Sequence, residues 1–163
     1  MAFDVTKDTE NQDEEDNVTN NKKTDRIDIL LYDNKEKQLL FCEAKHFSNS
    51  EIWAEKGNKP QLITQLKSYD NQIDTKKERI LKAYTTAFEE YNQLMGTNLQ
   101  PPHSICEKCG LLIFDFDNNQ KNKIKELLID DESLAERKYK MIGNIFANIK
   151  NTNTVENLFK SLK

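Results

Sequence analysis

The sequence predicts an α/β domain with a central mixed β-sheet flanked by helices, and three observations carry that reading. Two apolar runs, Arg26–Tyr32 and Leu39–Lys45, flank a wholly polar turn, Asp33–Gln38, as in a β-hairpin. From Pro60 to Met95 apolar residues recur at helical spacing. Gly110–Phe116, GLLIFDF, is a continuous apolar run of the kind a sheet buries on both faces. In chain order the elements are hairpin, long helices, buried strand, helix, strand and helix. Residues 1–24 form an acidic polar segment, a tail or a first helix, and residues 25–163 form the folded domain.

The bulk properties set limits. A chain of 163 residues is expected to be one domain with a real core. Charged residues make up 32% of it, and no apolar run approaches the roughly 18 residues of a membrane span. No secretory signal is recognisable at the N-terminus, and three cysteines do not suggest a disulfide framework, so a reducing cytoplasm is the expected location. The net charge of −4 is unevenly spread. Residues 1–16 hold seven acids against one base, Lys7, which leaves +2 on the remainder. The charge balance therefore neither points to nor excludes a nucleic-acid partner.

The hairpin carries the chemistry. An even-length loop centred between Lys35 and Glu36 pairs Tyr32 with Leu39, and the same register sets Asp28 opposite Glu43. Opposed residues on antiparallel strands have Cβ atoms roughly 4.5–5.5 Å apart, so two acids there repel. A divalent cation removes the conflict, because carboxylate oxygens are what Mg²⁺ selects. Side chains alternate along a strand, so Lys45 shares the Glu43 face while Ala44 points away. Asp28 followed by Glu43-Ala44-Lys45 resembles the PD-(D/E)XK, or restriction-endonuclease-like, nuclease superfamily, over roughly Arg26 to Ile73.

The helix after the hairpin extends the resemblance. Pro60 opens it in its first turn, Leu62, Ile63, Leu66 and Ile73 form its buried stripe, and Gln61, Gln65 and Tyr69 lie along one side. Gln65-x-x-x-Tyr69 resembles the helix motif beside the metal site in the exonuclease-like branch of that superfamily. An amide and a phenol on that face suit a phosphate or an attacking water without adding charge; a polar helix flank is the plainer explanation. Members usually carry a helix before the hairpin whose glutamate joins the metal site, a part Glu10, Glu14 or Glu15 could take. Here the chain departs from the pattern: few residues precede the hairpin, and only Met1–Val5 could supply a first strand.

The remaining motifs have simpler readings. His46 faces away from Lys45 and is expected to be hydrogen-bonded or solvated rather than a general base. Trp53 is read as an anchor for the loop His46–Lys59. Ile80, Leu81, Tyr84, Phe88, Tyr91 and Leu94 read as core, with Gly96 as the helix C-cap. His103, Cys106 and Cys109 are spaced as zinc ligands, but a structural site needs four, and Cys42 is expected to pack in the core. Asp117 suits a helix N-cap, and Asp115 reads as structural. Lys121, Lys123 and Lys125 give a basic helix face, solvated or touching a phosphate backbone. Lys138–Phe146 reads as a strand and Thr154–Leu162 as a short amphipathic helix.

What the resemblance implies is a Mg²⁺-dependent phosphodiesterase, with Mn²⁺ as an accepted substitute. Asp28, Glu43 and the Ala44 carbonyl would hold the metal, and Lys45, Gln65 and Tyr69 would complete the catalytic set. DNA is the expected substrate ahead of RNA, no membrane is involved, and a homodimer is left open. The alternatives are a catalytically silent nuclease-fold module that binds nucleic acid or protein, and a small zinc-stabilised interaction domain.

Overall fold

The computed structural model describes residues 26–54, 58–130, 134 and 137–143. The expectations for Met1–Val5, for the acidic segment with Glu10, Glu14 and Glu15, for residues 144–146 and for Thr154–Leu162 lie outside the described residues. The described elements are β1 (Ile29–Asp33), β2 (Gln38–His46), a 3₁₀ turn (Ser50–Ile52), α1 (Gln61–Met95), β3 (Ser104–Ile105), β4 (Gly110–Phe114), α2 (Asn118–Asp130) and β5 (Tyr139–Ile142).

The hairpin forms in the expected register, with Tyr32 against Leu39 and Asp33 against Gln38. Asp33 makes the turn: its Oδ1 accepts the backbone N–H groups of Lys35 and Glu36. Lys37 closes it at a φ of 52°. β2 is the hub of a mixed five-stranded sheet of order β1-β2-β4-β5. It pairs antiparallel with β1 on one edge and parallel with β3 and then β4 on the other. β5 adds in parallel beyond β4.

Alternation along β2 gives the sheet two faces. Leu39 and Phe41 on one face join Leu111 and Ile113 of β4, Leu62, Ile63, Leu66, Tyr69 and Ile73 of α1, and Ile124 of α2 in the main core. Leu40, Cys42 and Leu112 form a smaller cluster on the other face. The described helices thus contribute to the main core on one face, and helices on both faces are not seen among the described residues.

Four expectations need correction. The helical pattern is one continuous α1 of 35 residues, with Pro60 as its N-cap rather than inside its first turn. Nothing between Ile73 and Ile80 breaks a helix, so the two stretches merge. Tyr91 and Leu94 are exposed rather than core, because a helix about 52 Å long outruns a sheet whose longest strand is nine residues. Gly96 does cap it, at a φ of 62°. The apolar run ends at Phe114, because Asp115 turns to a φ of 62° and donates its N–H to Ile142 and Gly143. Asp117 caps α2 as expected, exchanging reciprocal bonds with Gln120.

Candidate functional site

Glu43 and Lys45 sit on the core-facing side of β2, past the point where Leu39 and Phe41 fill that face, and are 2% and 7% exposed. Burying a charge is costly unless it is paired. Lys45 Nζ meets that cost with two carboxylates, Glu43 Oε1 at 2.7 Å and Glu51 Oε2 at 2.5 Å. Burial alone would lower the Lys45 pKa, but the hydrogen-bonded acids outweigh it and hold the ammonium above its ordinary value. Burial pushes Glu43 up, and the nearby Asp28 charge adds to that against the pull of Lys45.

The backbone pairing of β1 starts at Ile29, one residue after Asp28, with Ile29 opposite Cys42. Asp28, expected opposite Glu43, lies one residue before that ladder begins. Asp28 is exposed and accepts the N–H of Ala44 through Oδ2 at 2.9 Å, so a backbone donor satisfies part of its charge. Ala44 packs toward the smaller cluster on the opposite face.

α1 crosses above with its first turns. Gln65 Nε2 donates to Tyr69 Oη at 2.9 Å, and Tyr69 Oη donates to the Arg26 carbonyl at 2.8 Å. The Tyr69 hydroxyl also bears on the Glu43 carboxyl, where its hydrogen bonding opposes the upward push of burial. Gln65 presents its NH₂ to Tyr69 and its carbonyl elsewhere. Tyr69 is 1% exposed and orients Gln65, whose Oε1 is left as an acceptor on the cavity wall.

These side chains enclose one cavity of about 560 Å³. Its walls include Asp28, Glu43, Lys45, Gln65 and Tyr69, all five of the expected catalytic side chains. Ala44, the expected carbonyl ligand, is not among the lining residues. Two buried acceptors in this wall, Glu43 Oε2 and Gln65 Oε1, have no hydrogen-bond partner. Buried polar atoms are nearly always satisfied, so an orphaned pair in one cavity marks a place for a cation or a donor. Among the described residues no three His, Cys, Asp or Glu side chains come together as a set that could hold a metal ion. Two carboxylates with neutral oxygens are what converge, which suits Mg²⁺, an ion commonly bound by one or two protein carboxylates plus water and substrate.

Among the members of this wall that sequence reasoning missed are the two charged ones, Glu51 and Arg26. Glu51 rides on the 3₁₀ turn, whose N-cap Asn49 accepts the Glu51 N–H. The available signal was a lysine on an apolar strand face followed by a loop with Glu51 and Glu55, and sequence does not choose between them. Arg26 opens the hairpin segment, and its backbone carbonyl meets Tyr69 only because α1 folds over the strand.

The remaining candidates fall outside the cavity. His46 points to the other face and bonds Ser48 Oγ through Nδ1 and Asp115 Oδ2 through Nε2, as a hydrogen-bonded histidine was expected to. Trp53 anchors its loop by donating to the Phe47 carbonyl and stacking edge-on against Phe47. Cys106 donates to Gln38, and Cys42 and Cys109 are fully buried. Burial pushes all three thiols up, Cys42 to about 12, which opposes the thiolate that zinc requires. Lys121 and Lys123 are exposed at the start of α2. No helix among the described residues is long and apolar enough to cross a membrane.

Comparison with protein-family models, curated proteins and solved structures finds no match.

Proposed function

We propose that this chain is a metal-dependent nuclease of restriction-endonuclease-like fold that hydrolyses phosphodiester bonds in DNA. The observation that carries the reading is the orphaned Glu43 Oε2, buried in a cavity it shares with Asp28, Lys45 and the equally orphaned Gln65 Oε1. The cavity wall holds three carboxylates, Asp28, Glu43 and Glu51, against two cations, Lys45 and Arg26, so by itself it repels a phosphodiester. A divalent cation reverses that balance. Asp28 and Glu43 would hold Mg²⁺, or Mn²⁺ in its place, with the Ala44 carbonyl, which does not line the cavity, as the third ligand the resemblance implies; when bound, the ion would supply Lewis acidity at the scissile phosphate.

The chain's own groups do the rest. Asp28 is held through the Ala44 N–H beside the Glu43 strand, on the wall of the same cavity. Lys45 offers N–H donors to the charge that grows on the phosphoryl oxygens. Gln65, fixed by Tyr69, would accept a hydrogen bond from the attacking water through Oε1 and so aim its lone pair, without taking its proton. The first turn of α1, with Gln61 and Thr64 on the cavity wall, turns the positive end of its dipole toward the anion.

One observation favours a second reading, a module that binds nucleic acid without cleaving it: Lys45 is already committed to two carboxylates. Incubating the purified protein with supercoiled, linear and single-stranded DNA separates the two. Cleavage should need Mg²⁺, stop with chelator, and fall at least about a hundredfold in Lys45→Ala. DNA bound but left intact by the parent chain supports the silent module, and cleavage unchanged in Lys45→Ala removes the site from the reaction.

A further inference from the structure

Lys45 Nζ sits between Glu43 on its own strand and Glu51 on the 3₁₀ turn after it. The two acids are not equivalent. Glu43 is 2% exposed and keeps one oxygen unpartnered in the cavity, whereas the Glu51 side chain is 23% exposed and its bond is to the lysine. The turn that carries Glu51 has anchors of its own besides Lys45. Asn49 caps it, Trp53 donates from its backbone to Ser50 and from its indole to Phe47, and Ile52 is fully buried in the main core.

We infer that Glu51 is a positioning residue that keeps the Lys45 ammonium against the cavity wall and so releases Glu43 to take a cation. The inference rests on the nuclease reading of the cavity. If Glu43 were the only partner of Lys45, binding a cation would strip a buried ammonium of its counter-charge, and removing one partner of a buried pair is strongly unfavourable. With Glu51 on a separately anchored turn, Lys45 keeps an acceptor while Glu43 swings to the ion. Each acid then has one task, and the lysine does not follow Glu43 toward the metal.

The test is a double-mutant cycle on cation affinity, measured by calorimetric titration of Ca²⁺ and Mg²⁺ into metal-free protein without nucleic acid. Glu51→Gln keeps the shape and an acceptor oxygen but loses the charge, and should bind either cation about tenfold more weakly than the parent. Lys45→Met has no ammonium to hold, so adding Glu51→Gln to it should change affinity by less than about twofold. Glu51→Asp, which keeps the charge on a shorter arm, should recover part of the loss. Equal affinity in Glu51→Gln and parent overturns the inference. A tenfold effect that persists in full beside Lys45→Met also overturns it, since Glu51 would then act on the ion directly. A parent chain that binds neither cation overturns the nuclease reading, and this inference with it. Circular dichroism melts of each variant confirm that folded proteins are compared; should Lys45→Met fail to fold, Lys45→Gln takes its place in the cycle.

Discussion

Lys45 is a primary amine on the strand face that also carries Leu39 and Phe41, and two carboxylates reach it there and outweigh the cost of burying its charge. Its pKa is raised in the folded chain and returns to the ordinary 10.5 on unfolding. At alkaline pH the unfolded chain therefore loses the proton first. The stabilisation from this group is complete below pH 10.5 and is lost as pH climbs through the higher folded value. Urea titrations across the alkaline range should show the parent losing stability more steeply than Lys45→Met. Parallel slopes would mean that the ion pairs do not hold the ammonium in solution. The acid on its strand has the opposite relation to its neighbours: Glu43 is raised by burial, and Asp28 reinforces the shift. A raised carboxyl makes the folded state less favourable as pH rises past the ordinary acid range, a cost that a bound cation would offset.

At the scale of elements, the site depends on how closely β2 and β4 approach. Gly110 opens β4 opposite Cys42, and a Cβ there would lie 2.8 Å from Cys42 Sγ and 3.3 Å from the Lys138 carbonyl. That spacing explains a glycine at the start of an otherwise apolar strand, where its backbone freedom is not the point. Gly110→Ala should destabilise the chain by about 1–3 kcal/mol in urea titration. Combining it with Cys42→Ala should recover part of that loss, because the removed sulfur is the nearest obstacle. A fully additive double variant would show that the strands adjust without a clash. Next to this tight edge, α1 brings Gln65 and Tyr69 to the cavity with its N-terminal half, while its last turns, with Leu94 83% exposed, extend beyond the core.

Across the whole molecule, one buried ion pair ties the layers together. Asp70 on α1 accepts both guanidinium nitrogens of Arg137, just before β5, and the backbone N–H of Cys109, just before β4. Arg137 also donates to the Cys109 carbonyl. The N-terminal half of α1 and the starts of β4 and β5 are therefore held by one bidentate clamp. Asp70→Asn should cost about 3–5 kcal/mol in urea unfolding, since it leaves the guanidinium buried without its counter-charge. A loss under about 1 kcal/mol would show that water reaches Arg137 and that the layers are held by apolar packing instead.

The sequence by itself determined the elements whose signals are local. Alternation, turn composition and the symmetric loop were enough for the hairpin, its register and the shared face of Glu43 and Lys45, because strand geometry has a period of two and no free parameter once the turn is placed. Helical periodicity placed Gln65 and Tyr69 one turn apart, and Gly96 marked where α1 ends. Only the tertiary structure decided that Tyr69 orients Gln65 through the Arg26 carbonyl, that Glu51 closes on Lys45, and that Asp70 and Arg137 meet across the core. Those partners lie between six and 67 positions apart, on elements whose relative placement follows from packing. A buried charge dictates that some partner must exist; which one arrives depends on how the helix and the turn settle on the sheet.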